Sequence, residues 1–158
     1  MSTVFGHVNI IASEWRRLSR FYQEVFACVP VPPVRKQSGP LLETATGVPG
    51  ARLEGEHLRL PGFGEQGPTL EIYSYEDALD RPQPLPNRKG FGHLAFQVPD
   101  VAGTLARVLE QGGATQGSVV SLPVPGKGVV TFVYAADPEG NLLEIQSWSE
   151  RQAVEDGR

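Results

Sequence analysis

The sequence predicts an α+β protein made of two similar halves, and two internal repeats support this prediction. "VFGHVNI" from Val4 resembles "GFGHLAF" from Gly90, and "GPTLEIYSY" from Gly67 resembles "GNLLEIQSW" from Gly140. Each half therefore opens with a histidine in an apolar segment and closes with a glutamate in another. A helical pattern and strand-like segments lie between them, so we expect a strand, a helix and further strands twice.

In the first half, "SEWRRLSRFYQEVF" carries apolar residues at helical spacing, and Ser13 is the expected N-cap of this helix. A connection rich in proline and glycine follows, in which we expect one strand and a short helical turn around Leu41 to Ala45. "EHLRLPGFGEQGPTLEIYSY" then predicts a hairpin with a glycine-rich turn.

In the second half, "PDVAGTLARVLEQGG" predicts a helix that is capped by Asp100 and closed by Gly112 or Gly113. "GVVTFVYAADPEGNLLEIQSW" predicts a hairpin, since "DPEG" has the residue preferences of a type I turn. We expect the modules to span residues 1–80 and 91–149, with a proline-rich linker at 81–90 and a flexible tail at 150–158.

Composition narrows the class of protein. A chain of 158 residues suffices for one domain or two small halves, and a net charge of −4 argues against a nucleic acid partner. Cys28 is the only cysteine, so an internal disulfide and a cysteine-rich zinc site are excluded; we expect its thiol to be inert. With neither a signal peptide nor a membrane span in view, we expect a cytoplasmic protein without a membrane partner.

Alternation along the strand-like segments separates a polar face from an apolar face. In "LEIYS", Leu70 and Ile72 oppose Glu71. In the same way, apolar residues oppose Glu144 in "LEIQS", His93 in "GHLAFQV" and His7 in "FGHVNII". The polar faces would bring together two imidazoles and two carboxylates, from His7, Glu71, His93 and Glu144. The residues that share these faces could orient a substrate or serve only as polar filler; they are Asn9, Tyr73, Gln97 and Gln146.

Two carboxylates in one shielded cavity repel each other unless a cation or a shared proton compensates. A divalent ion would compensate, and imidazole with carboxylate suits zinc, nickel, cobalt, manganese or ferrous iron, among which the sequence does not choose. A single strand histidine is more often a structural residue, and a single glutamate between apolar residues usually faces solvent. The recurrence of the pair in both halves favours a metal site.

From Val4 to Ser149 the chain resembles the vicinal oxygen chelate superfamily, which includes glyoxalase I, methylmalonyl-CoA epimerase, extradiol dioxygenases, and fosfomycin and bleomycin resistance proteins. The most specific segments are "GHVNIIASEWRRLSRFYQEVF", "GFGHLAFQVPDV" and "DPEGNLLEIQSW". The resemblance implies two βαβββ modules whose mixed sheets form a half-closed barrel around a metal. It places the ligands on the first and last strands of each module, at His7, Glu71, His93 and Glu144.

This ligand set is most similar to the pattern of glyoxalase I (lactoylglutathione lyase), with the epimerase next. The resemblance implies a metal-dependent lyase, isomerase or epimerase, in which a glutamate removes a proton next to a carbonyl or thioester and the metal stabilises the enediolate. Either Glu144 or Glu71 could be the base, and we favour Glu144. The alternatives are an iron-dependent dioxygenase of the extradiol type and a protein that sequesters a drug or metabolite without turnover.

The expected partners are a small-molecule substrate and a second copy of the chain. A homodimer is expected because an open, curled sheet leaves strand edges to cover. Five basic residues could hold a substrate carboxylate or phosphate, although a solvated surface role is more common for such residues: Arg35, Lys36, Arg88, Lys89 and Lys127.

Overall fold

The computed structural model describes residues 3–149, and the predicted tail at 150–158 lies outside the described residues. The chain divides into two compact units between Pro82 and Gln83, within the segment that we predict to be a linker. No helix within residues 3–149 is long and apolar enough to cross a membrane.

The first unit contains four strands and two helices, in the predicted order of a strand, a helix and further strands. They are β1 (His7–Ile11), α1 (Trp15–Phe26), β2 (Val29–Ser38), α2 (Pro40–Thr46), β3 (Arg52–Arg59) and β4 (Thr69–Tyr75). The strands form one sheet in the order β1-β4-β3-β2, in which β1 and β4 are parallel and the other pairs antiparallel. The strand and the short helix predicted in the connection are confirmed as β2 and α2.

Helix α1 packs against one face of this sheet through an apolar stripe. Its buried apolar residues are Trp15, Leu18, Phe21, Tyr22, Val25 and Phe26. The sheet contributes Leu58, Leu70 and Ile72, each of which is completely buried. On the same face of β3, Glu54 pairs with Arg16 and Glu56 accepts a hydrogen bond from Ser19, so α1 also makes polar contacts with the strand.

The predicted N-cap of α1 is wrong. The N-cap residue is Glu14, whose own side chain makes no capping hydrogen bond. Instead the backbone N–H of Trp15 donates to Oγ of Ser74 in β4, at 3.1 Å. A neighbouring strand therefore satisfies a donor that we expected Ser13 to satisfy locally.

The second unit repeats the plan with shorter outer strands. It contains β5 (Leu94–Gln97), α3 (Val101–Glu110), β6 (Ala114–Thr115), β7 (Val120–Val124), β8 (Gly128–Ala136) and β9 (Leu142–Ser149). The sheet order is β5-β9-β8-β6, with β7 also paired to β8, and β5 runs parallel to β9. Strand β6, which has two residues, and strand β7 both pair with the same edge of β8. In the first unit, the equivalent edge of β3 pairs with β2 alone.

Two local predictions for this unit are confirmed. Asp100 caps α3, because its Oδ1 accepts a hydrogen bond from the N–H of Gly103 at 2.9 Å. The turn between β8 and β9 closes through the N–H of Gly140, which donates to the carbonyl of Asp137 at 2.9 Å. The buried Asp137 carboxylate also accepts from the N–H groups of Glu139 and Asn141, which fixes the hairpin that carries Glu144.

Cys28 follows α1 and is buried, and burial raises the pKa of its thiol to about 12. The thiol therefore stays neutral up to pH 9. At pH 8 its thiolate fraction is about a thousandfold below that of an ordinary cysteine. We predict that iodoacetamide labels it, as followed by mass spectrometry, at least a hundredfold faster in urea-unfolded protein than in native protein. Equal rates in the two states would contradict this account.

Candidate functional site

Glu71 lies in the middle of the first sheet, on the face opposite α1. Strand β4 has β1 on one side and β3 on the other, and Glu71 stands opposite Asn9 in β1 and opposite His57 in β3. Residues that stand directly opposite each other project on the same face of a sheet. Leu70 and Ile72 are completely buried on the other face, as the alternation predicts.

The structure brings together the predicted pair of the first unit. Nδ1 of His7 lies 3.4 Å from Oε1 of Glu71, and the side chains are 52% and 14% exposed. The imidazole is therefore open to solvent while the carboxylate is largely shielded.

A third residue of this site, His57, is absent from the sequence prediction. Its Nε2 lies 3.0 Å from Oε1 of Glu71 and 2.8 Å from the hydroxyl of Tyr73. Tyr73, which we expect either to orient substrate or to serve as polar filler, is buried and contacts His57 through its hydroxyl. The repeat gave no signal for His57, because the second unit has a tyrosine at the equivalent position.

Burial dominates the electrostatics of these two side chains. It lowers the pKa of His57, against the opposing effect of the Glu71 carboxylate, and so favours the neutral imidazole. It also raises the pKa of Tyr73, with a further contribution from the Glu71 carboxylate, so the phenol keeps its proton. Nε2 of His57 thus lies between the Tyr73 hydroxyl and one oxygen of the Glu71 carboxylate.

The second unit forms the equivalent pair. Nε2 of His93 lies 3.1 Å from Oε2 of Glu144, and the side chains are 33% and 17% exposed. In the middle of its sheet, Glu144 stands opposite Ala95 in β5 and Tyr134 in β8. Tyr134 thus occupies the position of His57, and Ala95 that of Asn9.

Tyr134 interacts with both members of this second pair. Its ring lies 5.1 Å from that of His93, centroid to centroid, and its hydroxyl is hydrogen-bonded to Glu144. Burial raises the pKa of Tyr134, and the Glu144 carboxylate raises it further, so the phenol stays protonated and donates. The sequence analysis missed this tyrosine, whose only signal is its register in the "GVVTFVYAA" strand.

The remaining predicted residues lie on the expected strands. The Asn9 amide donates to the backbone carbonyl of Glu71 at 3.4 Å and so links β1 to β4. Gln97 stands opposite Gln146, whose Oε1 accepts a hydrogen bond from the Trp148 indole at 3.0 Å. Gln97 and Asn9 are exposed.

The donor chemistry of each pair fits a divalent metal. Two ligand atoms that lie about 2.1 Å from one ion are separated by about 3.0 to 3.4 Å, depending on the coordination geometry. The nitrogen–oxygen distances in the two units, 3.4 Å and 3.1 Å, lie at or within these limits. No group of three or more histidine, cysteine, aspartate or glutamate side chains within residues 3–149 has an arrangement that could hold an ion. Each of the two predicted pairs consists of one imidazole and one carboxylate.

The sequence matches one known protein family over most of its length. The model of the Glyoxalase/Bleomycin resistance protein/Dioxygenase superfamily matches residues 4–145. Among curated proteins, none is similar enough in sequence to count as a match.

Solved structures show the same fold. A glyoxalase family protein from Bacillus cereus is similar with a TM-score of 0.72 at 15% identity, over 92% of this chain and 93% of that chain. One from Enterococcus faecalis has a TM-score of 0.58 at 26% identity, over 90% and 96%. The fosfomycin resistance protein FosX from Listeria monocytogenes, in complex with Mn(II) and sulfate, has a TM-score of 0.53 at 14% identity, over 94% and 95%.

The Tyr73 ring packs over β3 in the space left by the missing side chain of Gly55. Gly55 stands opposite Tyr73, and a Cβ added to it would lie 2.0 Å from the carbonyl oxygen of Ile72 and 2.5 Å from Cδ1 of Tyr73. We predict that Gly55→Ala lowers the free energy of unfolding by about 1 to 3 kcal/mol, measured by urea titration. NMR should also show an altered environment of the His57 ring.

Gly6→Ala is the matched control, because a Cβ at Gly6 would have no heavy atom within 4 Å. Its urea midpoint should stay close to that of the unmodified chain. Equal effects of the two substitutions would show that the close packing at Gly55 has no role in the site.

Proposed function

Because the chain belongs to the glyoxalase/bleomycin resistance protein/dioxygenase superfamily, we propose that it is a metal-dependent enzyme that abstracts a proton next to a carbonyl or thioester group. The reaction class is that of a lyase, isomerase or epimerase acting on a small molecule. The observation that carries the proposal is the repeated pair of an imidazole and a shielded carboxylate, His7 with Glu71 and His93 with Glu144.

We propose that these four residues hold one divalent ion. When bound, such an ion would polarise the substrate oxygen and stabilise the negative charge that develops on it. The Mn(II) in the FosX complex supports a divalent ion of this kind, and zinc, nickel, cobalt and ferrous iron suit the same ligands.

The surroundings of the two glutamates support Glu144 as the base. Two imidazoles, those of His7 and His57, approach the same oxygen of Glu71. Glu144 has one imidazole partner and one phenol partner. In our proposal Glu144 removes the proton and returns it to the same or the neighbouring carbon, while Glu71 serves only as a ligand.

Three amides on the same faces complete the proposed site; Asn9 and Gln97 are exposed and Gln146 is half-buried. Asn9 and Gln97 lie on the strands that carry or follow the histidines, and Gln146 lies two residues beyond Glu144. We propose that these three amides orient the substrate by hydrogen bonds. Tyr73 contributes indirectly, by fixing the imidazole of His57.

Solvent deuterium tests the role of the base. With metal supplied, we predict that Glu144→Gln slows the exchange of the abstracted proton by about 10² to 10⁴-fold, because an amide cannot accept it. Glu71→Gln should reduce metal affinity as well as turnover. The matched control is Glu110→Gln, since Glu110 is exposed at the end of α3. Unchanged exchange in both site variants, followed by NMR, would refute the proposed chemistry.

The substrate screen starts with hemithioacetals and acyl-CoA thioesters, each assayed with the five candidate metals. We predict that at least one substrate exchanges its proton without consuming oxygen. Oxygen uptake with ferrous iron and a catechol would replace the proposal with the dioxygenase alternative. Tight binding of a small molecule that persists after metal removal, without turnover, would instead favour a sequestering protein.

We also propose that the chain forms a homodimer. Strand β2 lies at an edge of its sheet and exposes Val29 and Val34 by about half of their surface, at 50% and 51%. Edge strands of this kind usually gain from being covered. Light scattering after size exclusion should give twice the chain mass, and a monomer at all concentrations would reject the dimer.

A further inference from the structure

Arg35 lies on the same face of the first sheet as His57 and Tyr73. In the register of β2 with β3 it stands opposite Gly55, which in turn stands opposite Tyr73 in β4. The register of β2 shifts between Val31 and Arg35, so the strand is irregular where the side chain leaves it. A cation is thereby placed on the face that carries the Glu71 carboxylate.

Within residues 3–149, the guanidinium of Arg35 is held by hydrogen bonds from Nη1 alone. Nη1 donates to the carbonyl of Val31 at 3.0 Å and to that of Pro33 at 2.8 Å. A guanidinium has five N–H donors, and Arg35 forms no ion pair with any carboxylate among residues 3–149. Its side chain is half-buried, so rotation is restricted while Nε and Nη2 stay available.

Arg35 lies near His57 and Tyr73 in the sheet, whereas the adjacent Lys36 does not. In the sheet register Gly55, which has no side chain, is the one residue between Arg35 and Tyr73, and His57 stands opposite Val31, whose carbonyl accepts from the guanidinium. Lys36, the next residue, stands opposite Glu54, on the face that packs against α1. Of these two adjacent cations, only Arg35 therefore faces the site.

We propose that Arg35 binds an oxyanion of the substrate, and that the substrate is a carbonyl or thioester compound bearing a carboxylate or a phosphonate. A planar guanidinium held through Nη1 presents Nε and Nη2 in the geometry that pairs with two oxygens of such a group. The inference rests on the proposed function for the reacting carbon. Arg35 would set specificity and orientation, without taking part in proton transfer.

A purely structural role for Arg35 makes a different prediction. If the guanidinium only satisfies the carbonyls of Val31 and Pro33, then an added anion finds no site there, and replacing Arg35 affects stability alone. Anion binding by the unmodified full-length chain therefore separates the two roles before any variant is made.

The experiment uses methylphosphonate and acetate as probes, added to full-length protein from which metal has been removed by a chelator. We predict a saturable shift of the Arg35 Nε–H resonance in NMR with at least one of the two anions. Arg35→Met should weaken that binding at least tenfold. Lys36→Met is the matched control, because it removes a neighbouring charge from the opposite face, and it should leave the affinity unchanged.

Comparison of the two probes distinguishes a phosphonate-bearing from a carboxylate-bearing substrate. Two outcomes overturn the inference: no saturable shift of Arg35 with either anion, or equal weakening by the two substitutions. If Arg35→Met does not fold, the Nε–H titration of the unmodified chain decides alone. Because the titration contains no metal and needs no turnover, its result is independent of the deuterium-exchange result for the proposed function.

Discussion

The candidate site depends on the two buried residues that flank each glutamate in its strand. Leu70 and Ile72 around Glu71, like the leucine and isoleucine around Glu144, are completely inaccessible to solvent. A slip of one residue would move the carboxylate into the apolar layer that packs against a helix, where an unpaired charge is very costly. The hydrophobic core therefore fixes which face each carboxylate occupies, and the polar chemistry follows from that placement.

With the strands fixed in this way, the neighbours of each glutamate differ between the units. Glu71 lies between Asn9 and His57, whereas Glu144 lies between Ala95 and Tyr134. The repeat thus preserves the ligands but not the groups that surround them. This difference supports distinct roles for the two carboxylates, one held by two imidazoles and the other paired with an imidazole and a phenol.

Patterns within a strand or helix made much of this architecture predictable from sequence. Alternation around Glu71 and the repeat of His7 in His93 predicted both pairs of side chains, because period two assigns faces without knowledge of strand pairing. His57 could not be found in this way, since its contact with Glu71 depends on the β3–β4 register across a nine-residue loop, residues 60–68. The wrong N-cap has the same origin, because the N–H of Trp15 donates to Ser74, which lies 59 residues further along the chain in β4.

Metal stoichiometry tests most directly whether both pairs serve a single ion. Native mass spectrometry of the full-length chain, titrated with manganese or zinc, should show one ion per chain. If His7 and His93 are ligands of a common ion, His7→Ala and His93→Ala should each abolish tight binding. Two ions per chain, with one remaining after either substitution, would mean that the pairs act separately and would contradict the account.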